Sequence, residues 1–114
     1  MDAHNDPRLV LEVEDRTAEI CSPKEDDSVE FYLGRDTAND FVYGSKLASR
    51  RHARIEHRHK DFYLVDCSTN GTYVQTEDEQ VTHVHRDTVK LWGRGWISLG
   101  QPLNMGQPIH YRQD

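Results

Sequence analysis

Residues 62–74 read FYLVDCSTNGTYV. Two short runs of aromatic and β-branched residues, Phe62–Asp66 and Thr72–Val74, lie on either side of an Asn-Gly pair. Runs of this composition favour β-strands, and Asn and Gly tolerate the positive φ angles that a tight turn requires. The stretch therefore predicts two strands with a turn at Asn70–Gly71.

Alternation of apolar and polar residues extends the strand pattern over most of the chain. Leu9–Val13 shows it clearly, and Val29–Leu33 repeats it. Further strands are expected at Ala53–Glu56, Val89–Leu91, Trp96–Leu99 and Ile109–Tyr111, and turns at Gly34, His59–Asp61, Gly93–Gly95 and Gly100–Pro102. Short strands at close spacing, broken by such turns, predict an all-β sandwich or barrel.

The size of the chain fits a single domain. Its 114 residues have a mean hydropathy of −0.87, which leaves no apolar run of the length that a membrane span needs. Residues 1–6 are polar and predict a flexible N-terminal tail, so residues 7–114 form the expected domain. The acidic Gln75–Gln80 segment predicts an exposed loop. Cys21 and Cys67 are too few for a disulfide framework, which favours a reducing, cytoplasmic compartment.

The charge distribution is uneven along the chain. The net charge is −6, yet Lys46–Lys60 carries six basic residues against Glu56 alone. The overall charge argues against nucleic-acid binding, and the local patch indicates a site for a particular anion. A basic helix over Lys46–Lys60 is the alternative, but its apolar residues make no stripe at helical spacing, and Ala53–Glu56 looks like a strand.

Three short polar elements between the predicted strands stand out by their order. They are Gly34-Arg35, Ser49-Arg50-Arg51-His52-Ala53 and Ser68-Thr69-Asn70-Gly71-Thr72, and the strand Val89–Leu99 follows them. Each element alone is typical of an ordinary turn or polar loop.

In this order and at these spacings, the three elements resemble the motif of the forkhead-associated (FHA) domain, over most of the chain. The resemblance implies an FHA-type β-sandwich of about eleven short strands with binding loops at one end. It also implies a phosphothreonine-dependent interaction module of a signalling protein, without catalysis, metal or other cofactor. The implied partner is a protein that contains a phosphothreonine introduced by a Ser/Thr kinase. The amino-acid sequence around Leu47–Val74 also resembles that of FHA domains attached to bacterial class III nucleotide cyclases. This resemblance implies a catalytic domain in the same full-length polypeptide.

The resemblance assigns the phosphopeptide-binding residues one by one. Arg35 matches the main phosphate contact, and its guanidinium offers a planar fork of donors. Ser49 matches the hydroxyl donor of the next loop, and Arg50 matches a backbone N–H donor whose side chain adds a second charge. Thr69 matches a further hydroxyl, and Asn70 matches the amide that holds the main chain of the ligand.

Other motif residues are expected to be architectural. Gly34 is expected to let the chain turn sharply after its strand, and Gly71 to close the Asn-Gly turn. His52 resembles the family histidine that braces the serine loop from beneath. Arg51 is expected to point away from the site.

The sequence departs from the family pattern at several positions. His85-Arg86-Asp87 stands where many members have Gly-Asp, and the acidic Gln75–Gln80 segment replaces a second short turn. Leu47 occupies a place where some members carry a basic residue that selects an acidic side chain of the peptide. We therefore do not expect Leu47 to select a peptide with an acidic side chain.

Rival functions are also open at this stage. The pairs His57/His59 and His83/His85 have the spacing of metal ligands on a strand face, although solvated faces are the simpler interpretation. Catalysis would need a base beside Ser49 or Cys67. The stronger rival is a phosphate-independent adaptor or dimerisation domain that uses an exposed apolar patch. The candidate patch residues are Trp92, Trp96, Tyr111 and Phe41.

Overall fold

The computed structural model describes residues 8–21 and 30–114, which form two β-sheets packed face to face. The eleven strands are β1 (Arg8–Val13), β2 (Arg16–Cys21), β3 (Glu30–Gly34), β4 (Phe41–Val42), β5 (Ala53–Arg58), β6 (Asp61–Asp66), β7 (Thr72–Gln75), β8 (Val81–Val84), β9 (Thr88–Leu91), β10 (Arg94–Leu99) and β11 (Ile109–Gln113). The prediction of an all-β sandwich of about eleven strands is confirmed. The predicted tail at residues 1–6 and the predicted strand residue Val29 lie outside the described residues.

The two sheets differ in size and order. The larger sheet runs β2-β1-β11-β10-β7-β8, and the smaller runs β4-β3-β5-β6-β9. Among the described strands the pairing is antiparallel except between β3 and β4. Strands from the beginning and the end of the chain therefore meet in the middle of one sheet, where β1 pairs with β11.

Side chains of alternate residues fill the space between the sheets. In β6, Phe62 and Leu64 are fully buried while Tyr63 and Val65 are only partly covered. This period of two is what a strand with one face on a core produces. The remaining fully buried apolar side chains are Leu9, Leu11, Leu33, Ile55, Val74, Leu91, Ile97, Leu99, Ile109 and Tyr111. No helix in the described part of the chain is long and apolar enough to cross a membrane.

Val89–Leu99 is not one continuous strand, and the prediction of separate strands at Val89–Leu91 and Trp96–Leu99 is confirmed. The segment makes two strands, β9 and β10, which lie in different sheets. Gly93 adopts a φ of 62°, and the chain crosses there from one sheet to the other. Gly95, predicted in the turn, lies inside β10.

Three strands, β2, β4 and β8, escaped prediction because their residues lack a clear alternation. All three lie at sheet edges, where burial demands less of the sequence. β4 has two residues, and three of the four residues of β8 are exposed. The helix alternative for Lys46–Lys60 is also wrong, since this segment is a loop followed by β5. The acidic loop is shorter than predicted, because Gln75 ends β7 and Thr76 is buried.

We expect Leu64→Ala to lower the free energy of unfolding by about 2–5 kcal/mol, because a fully buried leucine leaves a cavity when truncated. Val65→Ala, one residue along the same strand, is the matched control and should cost less than about 1.5 kcal/mol, because Val65 is only partly covered. Urea denaturation of the two variants measures both values. Equal losses would mean that β6 has a different face on the core.

Candidate functional site

Strand pairing brings three polar loops together at one end of neighbouring strands in the smaller sheet. β5 lies between β3 and β6, with Ala53 opposite both Leu33 and Asp66. The first loop (residues 35–40) follows β3, the second loop (43–52) precedes β5, and the third loop (67–71) follows β6. Because antiparallel neighbours end where their partners begin, these loops meet at the same end of the sandwich.

Arg35 is held against the second loop. Its backbone N–H donates to the Ser49 carbonyl oxygen at 3.0 Å, and its side-chain Nε donates to the Ala48 carbonyl oxygen at 3.1 Å. The residue is exposed, and within the described residues no carboxylate lies within ion-pair distance of its guanidinium. The Nε contact fixes the plane of the guanidinium, so its two outer nitrogens face solvent as a fork of donors.

Two contacts join the second and third loops. The Thr69 N–H donates to Ser49 Oγ at 3.1 Å, and the Asn70 side-chain Nδ2 donates to the Leu47 carbonyl oxygen at 3.1 Å. Thr69, Asn70 and Leu47 are exposed. The contacts therefore hold the Ser49 hydroxyl and the Asn70 amide at one surface.

His52 lies beneath this surface and connects the two loops. It is fully buried, its Nδ1 accepts the Ser49 N–H at 2.9 Å, and its Nε2 lies 2.8 Å from the Gly71 carbonyl oxygen. Because Nδ1 accepts, the proton of the neutral ring is assigned to Nε2, which donates to Gly71. Burial lowers the pKa of His52, while the Gly71 contact and the nearby Asp66 partly oppose that shift. The ring is therefore neutral at physiological pH.

The motif comparison missed Asp66, which organises the third loop from below. Its buried carboxylate accepts from the Ser68 hydroxyl at 2.8 Å, the Thr72 hydroxyl at 2.6 Å and the Arg86 N–H at 2.8 Å. Burial raises the pKa of Asp66, but these hydrogen bonds together outweigh it and hold the pKa below its usual value. The Asp-x-Ser spacing at the end of a strand, typical of local side-chain turns, is the signal that could have found it.

The turn itself depends on Ser68 and Gly71. The Ser68 hydroxyl oxygen accepts the Gly71 N–H at 2.7 Å while its proton goes to Asp66. Gly71 has a φ of 87°, a conformation that residues with a side chain rarely adopt. Gly71 thus occupies the turn position that its Asn-Gly pair predicted.

Gly34 is needed for a different reason from the predicted sharp turn. It ends β3, and a Cβ atom there would overlap the Arg50 carbonyl oxygen and lie 2.8 Å from the His52 nitrogen. The close approach of the second loop, and not a special φ, excludes a side chain. Asn39, which the sequence did not single out, reinforces this approach, since its Nδ2 donates to the Arg50 carbonyl oxygen at 2.6 Å.

All five predicted binding residues lie on these loops at one end of the molecule. Arg50 is exposed, as are Arg35, Thr69 and Asn70, and Ser49 is partly covered. Their roles as ligand contacts stay predictions. Arg51 has its guanidinium 4.5 Å from the centre of the Tyr32 ring, on the outer face of β3, where it makes a cation–π contact.

The histidine pairs and the apolar patch have the expected surroundings only in part, since His59, His83 and His85 are exposed as the solvated-face interpretation predicts. His57 is buried and packs on Phe62, with ring centres 4.8 Å apart, so the prediction of a solvated face is wrong there. Within the described residues no group of three or more His, Cys, Asp or Glu side chains could hold a metal ion. Tyr111 and Phe41 are core residues, which leaves Trp92 and Trp96 as the exposed members of the candidate patch.

Comparison with known proteins assigns the family. A model of the FHA domain family matches residues 31–95, which span all three loops. The chain belongs to the FHA family. No curated protein matches the sequence.

Solved FHA structures share the fold at low sequence identity. The FHA-1 domain of Rv1747 from Mycobacterium tuberculosis is 19% identical with a TM-score of 0.74, over 95% of this chain and 97% of that one. The N-terminal FHA domain of Rad53p from S. cerevisiae, solved with a phosphothreonine peptide, is 19% identical with a TM-score of 0.68, over 95% and 91%. Mycobacterium tuberculosis EmbR, solved with a low-affinity phosphopeptide, is 21% identical with a TM-score of 0.68, over 92% of this chain and 24% of that longer one.

The buried neutral His52 predicts a pH-dependent stability. Because its pKa is lowered on folding, its contribution is fully present above about pH 6.5, the unfolded value, and is lost as the pH falls towards the folded value. His52→Gln should cost about 1–3 kcal/mol at pH 7.5, since the Ser49 N–H and the Gly71 carbonyl lose their partner. It should also flatten the fall in stability between pH 7 and pH 5.

Denaturant melts across this pH range measure both effects. His85→Gln, which removes an exposed histidine, is the matched control and should keep the wild-type profile. A His52→Gln profile that parallels wild type would show that His52 is not held neutral.

Proposed function

We propose that this FHA domain binds phosphothreonine-containing segments of partner proteins and does no catalysis. The observation that carries the proposal is the arrangement of the loops, which presents the Arg35 guanidinium, the Ser49 hydroxyl and the Asn70 amide at one surface, with no carboxylate of the described residues paired to Arg35. A phosphothreonine carries about −1.5 to −2 charges and three strong acceptor oxygens at neutral pH. Its recognition requires such donors to converge on one point.

The hydrogen bonds already made within the site leave the groups that a phosphate needs. Arg35 uses Nε internally, so its outer nitrogens can form a bidentate pair with phosphate oxygens. Ser49 Oγ accepts from Thr69, so its own proton is available to a phosphate oxygen. We assign the Arg50 backbone N–H and the Thr69 hydroxyl to the remaining acceptor positions.

Asn70 is assigned to the main chain of the ligand. Its Nδ2 is engaged by the Leu47 carbonyl, so its amide oxygen can accept an N–H from an extended peptide. Leu47 is 45% exposed beside it and offers no charge to an acidic side chain of the peptide. Phosphopeptide binding itself is supported by similar proteins, since the Rad53p domain and EmbR were solved with phosphorylated peptides.

The orientation of His52 supports a role without catalysis. A serine nucleophile needs a base hydrogen-bonded to its hydroxyl. Here Nδ1 accepts from the backbone N–H of Ser49, and Nε2 is engaged by Gly71. The ring therefore holds the loops together and is not placed to take the hydroxyl proton.

We propose a signalling context for the domain, with a partner phosphorylated by a Ser/Thr kinase in the cytoplasm. A catalytic domain in the same polypeptide, as in nucleotide cyclases, belongs to this proposal. In EmbR the similar region makes up 24% of a longer chain. The phosphate-independent adaptor remains the alternative, with Trp92 and Trp96 as its exposed apolar residues. Titration with matched phosphorylated and plain peptides distinguishes the two.

Arg35→Ala should weaken phosphopeptide binding at least about a hundredfold while leaving the fold intact. Two hydrogen bonds to a charged group, each worth about 1.5–3 kcal/mol, are lost. Arg35→Lys should lose nearly as much, because a point charge cannot reproduce the fork. Isothermal titration with one phosphothreonine peptide measures the affinities. Arg51→Ala is the matched control and should bind like wild type, since its guanidinium packs on Tyr32. Comparable weakening in both variants would remove Arg35 from its assigned role.

Phosphothreonine should bind about tenfold more tightly than phosphoserine in an otherwise identical peptide. Burial of one methyl group is worth about 0.8 kcal/mol, and the β-branched side chain loses less rotamer freedom on binding. The plain peptide should show no measurable binding. Fluorescence anisotropy with the three peptides measures the ratios. Equal affinities for the two phosphorylated peptides would indicate a generic phosphate site without a methyl pocket.

A further inference from the structure

Arg86 occupies a backbone position that disfavours its side chain. It lies in the turn between β8 and β9 with a φ of 55°, where glycine is the preferred residue. The Arg86 N–H donates to Asp66 Oδ2 at 2.8 Å, and that contact holds the turn in this conformation. The backbone contact needs no arginine, because any residue with an N–H can make it. The arginine side chain is thus unexplained by the fold.

The side chain of Arg86 points towards the binding loops. Its Nε lies 3.4 Å from the Ser68 carbonyl oxygen in the third loop, at the outer limit for a hydrogen bond. The residue is exposed, and no carboxylate of the described residues is within ion-pair distance of its guanidinium. No negatively charged side chain of the described residues therefore neutralises the charge of Arg86.

Arg86 and Arg35 are attached to different loops of the site. Arg35 donates to the second loop at Ala48, Arg86 donates to the third loop at Ser68, and the two loops are joined by the contact from Thr69 to Ser49. The two guanidinium groups are thus bonded to neighbouring loops of the site. A phosphate bound at Arg35 and Ser49 leaves Arg86 for a second anionic group.

His83 and Tyr73 form a wall on the same side of the third loop. The His83 Nε2 lies 3.1 Å from the Asn70 carbonyl oxygen, and its ring stacks on Tyr73 with centres 4.3 Å apart. His83 is exposed and adjoins Gly71. A peptide chain held by the Asn70 amide therefore passes close to this wall and to the turn that carries Arg86.

We propose that Arg86 binds an anionic side chain of the peptide that flanks the phosphothreonine, and so selects among phosphorylated partners. The inference rests on the proposed function, because it requires a peptide held at Arg35 and Asn70. A carboxylate of Asp or Glu and a second phosphorylated residue share the chemistry that a guanidinium recognises. Paired charges of this kind act mainly on specificity.

The test compares peptides that share one phosphothreonine and differ at a single flanking position. Each position from three before to three after is occupied in turn by Gln, Glu, Lys or phosphoserine. At the contacted position, wild type should bind the Glu peptide about fivefold more tightly than the Gln peptide. If the phosphoserine peptide exceeds the Gln peptide in affinity by more than the Glu peptide does, a second phosphate is the better ligand. If the two affinity ratios are equal, either anion is sufficient.

Variants of Arg86 then test the assignment. Arg86→Gly suits the φ angle of 55°, so it should fold, and its Glu-to-Gln ratio should fall to about one. Arg86→Glu should reverse the preference towards the Lys peptide, a gain that loss of structure cannot produce. Arg94→Gln is the control. Arg94 begins β10, whereas the other end of that strand, Leu99, pairs with Thr72 beside the third loop. The variant removes one positive charge away from the site and should keep the wild-type Glu-to-Gln ratio.

Three results would overturn the proposal. They are a wild-type ratio near one at every position, a ratio that survives Arg86→Gly, and a ratio that Arg94→Gln abolishes equally. Failure of the proposed function looks different, because wild type would then bind none of the phosphorylated peptides at any flanking residue.

Discussion

One buried imidazole ties together the two loops on which the candidate site depends. His52 accepts the Ser49 N–H with one ring nitrogen and donates to the Gly71 carbonyl oxygen with the other. The contact with Ser49 requires the neutral ring with its proton on Nε2, because a charged imidazole has no acceptor. Burial enforces that state by disfavouring the charge. The position of the Ser49 hydroxyl at the surface thus depends on the protonation state of a fully buried residue.

A second buried group, Asp66, carries a negative charge beneath the same loops. No arginine or lysine side chain of the described residues pairs with its carboxylate, which hydroxyl and backbone donors surround instead. The donors come from the third loop, from the start of β7 and from the turn before β9, so one carboxylate links three segments. Asp66 Oδ1 lies 3.7 Å from His52 Nε2. His52 contacts the Gly71 carbonyl oxygen, and Asp66 accepts from the hydroxyl of the next residue, Thr72. The exposed polar loops of the candidate site are therefore held from below by two buried groups.

The net charge of the chain describes its surface poorly. The protein carries −6 overall, yet Arg35, Arg50 and Arg86 all lie at the loop end of the sandwich. Elsewhere acidic residues engage basic ones, as in the contacts of Glu56 with Arg54 and Arg58. An acidic protein can thus present a local site for an anion. Recognition of one phosphorylated segment needs only that local excess.

The sequence by itself determined the all-β class, most central strands and the three motif loops, because alternation and turn residues are local properties. It also placed Arg35, Ser49, Arg50, Thr69 and Asn70 together through the order of the motifs. Only the tertiary structure decided the rest. The edge strands lack alternation, the crossing at Gly93 separates β9 from β10, and Gly34 is excluded from having a side chain by a loop distant in sequence. Asp66 has a local signal in its Asp-x-Ser spacing, but its contact with the Arg86 N–H, like those of Asn39 with Arg50 and of Arg86 with Ser68, joins residues far apart in the chain, and no local pattern encodes such contacts.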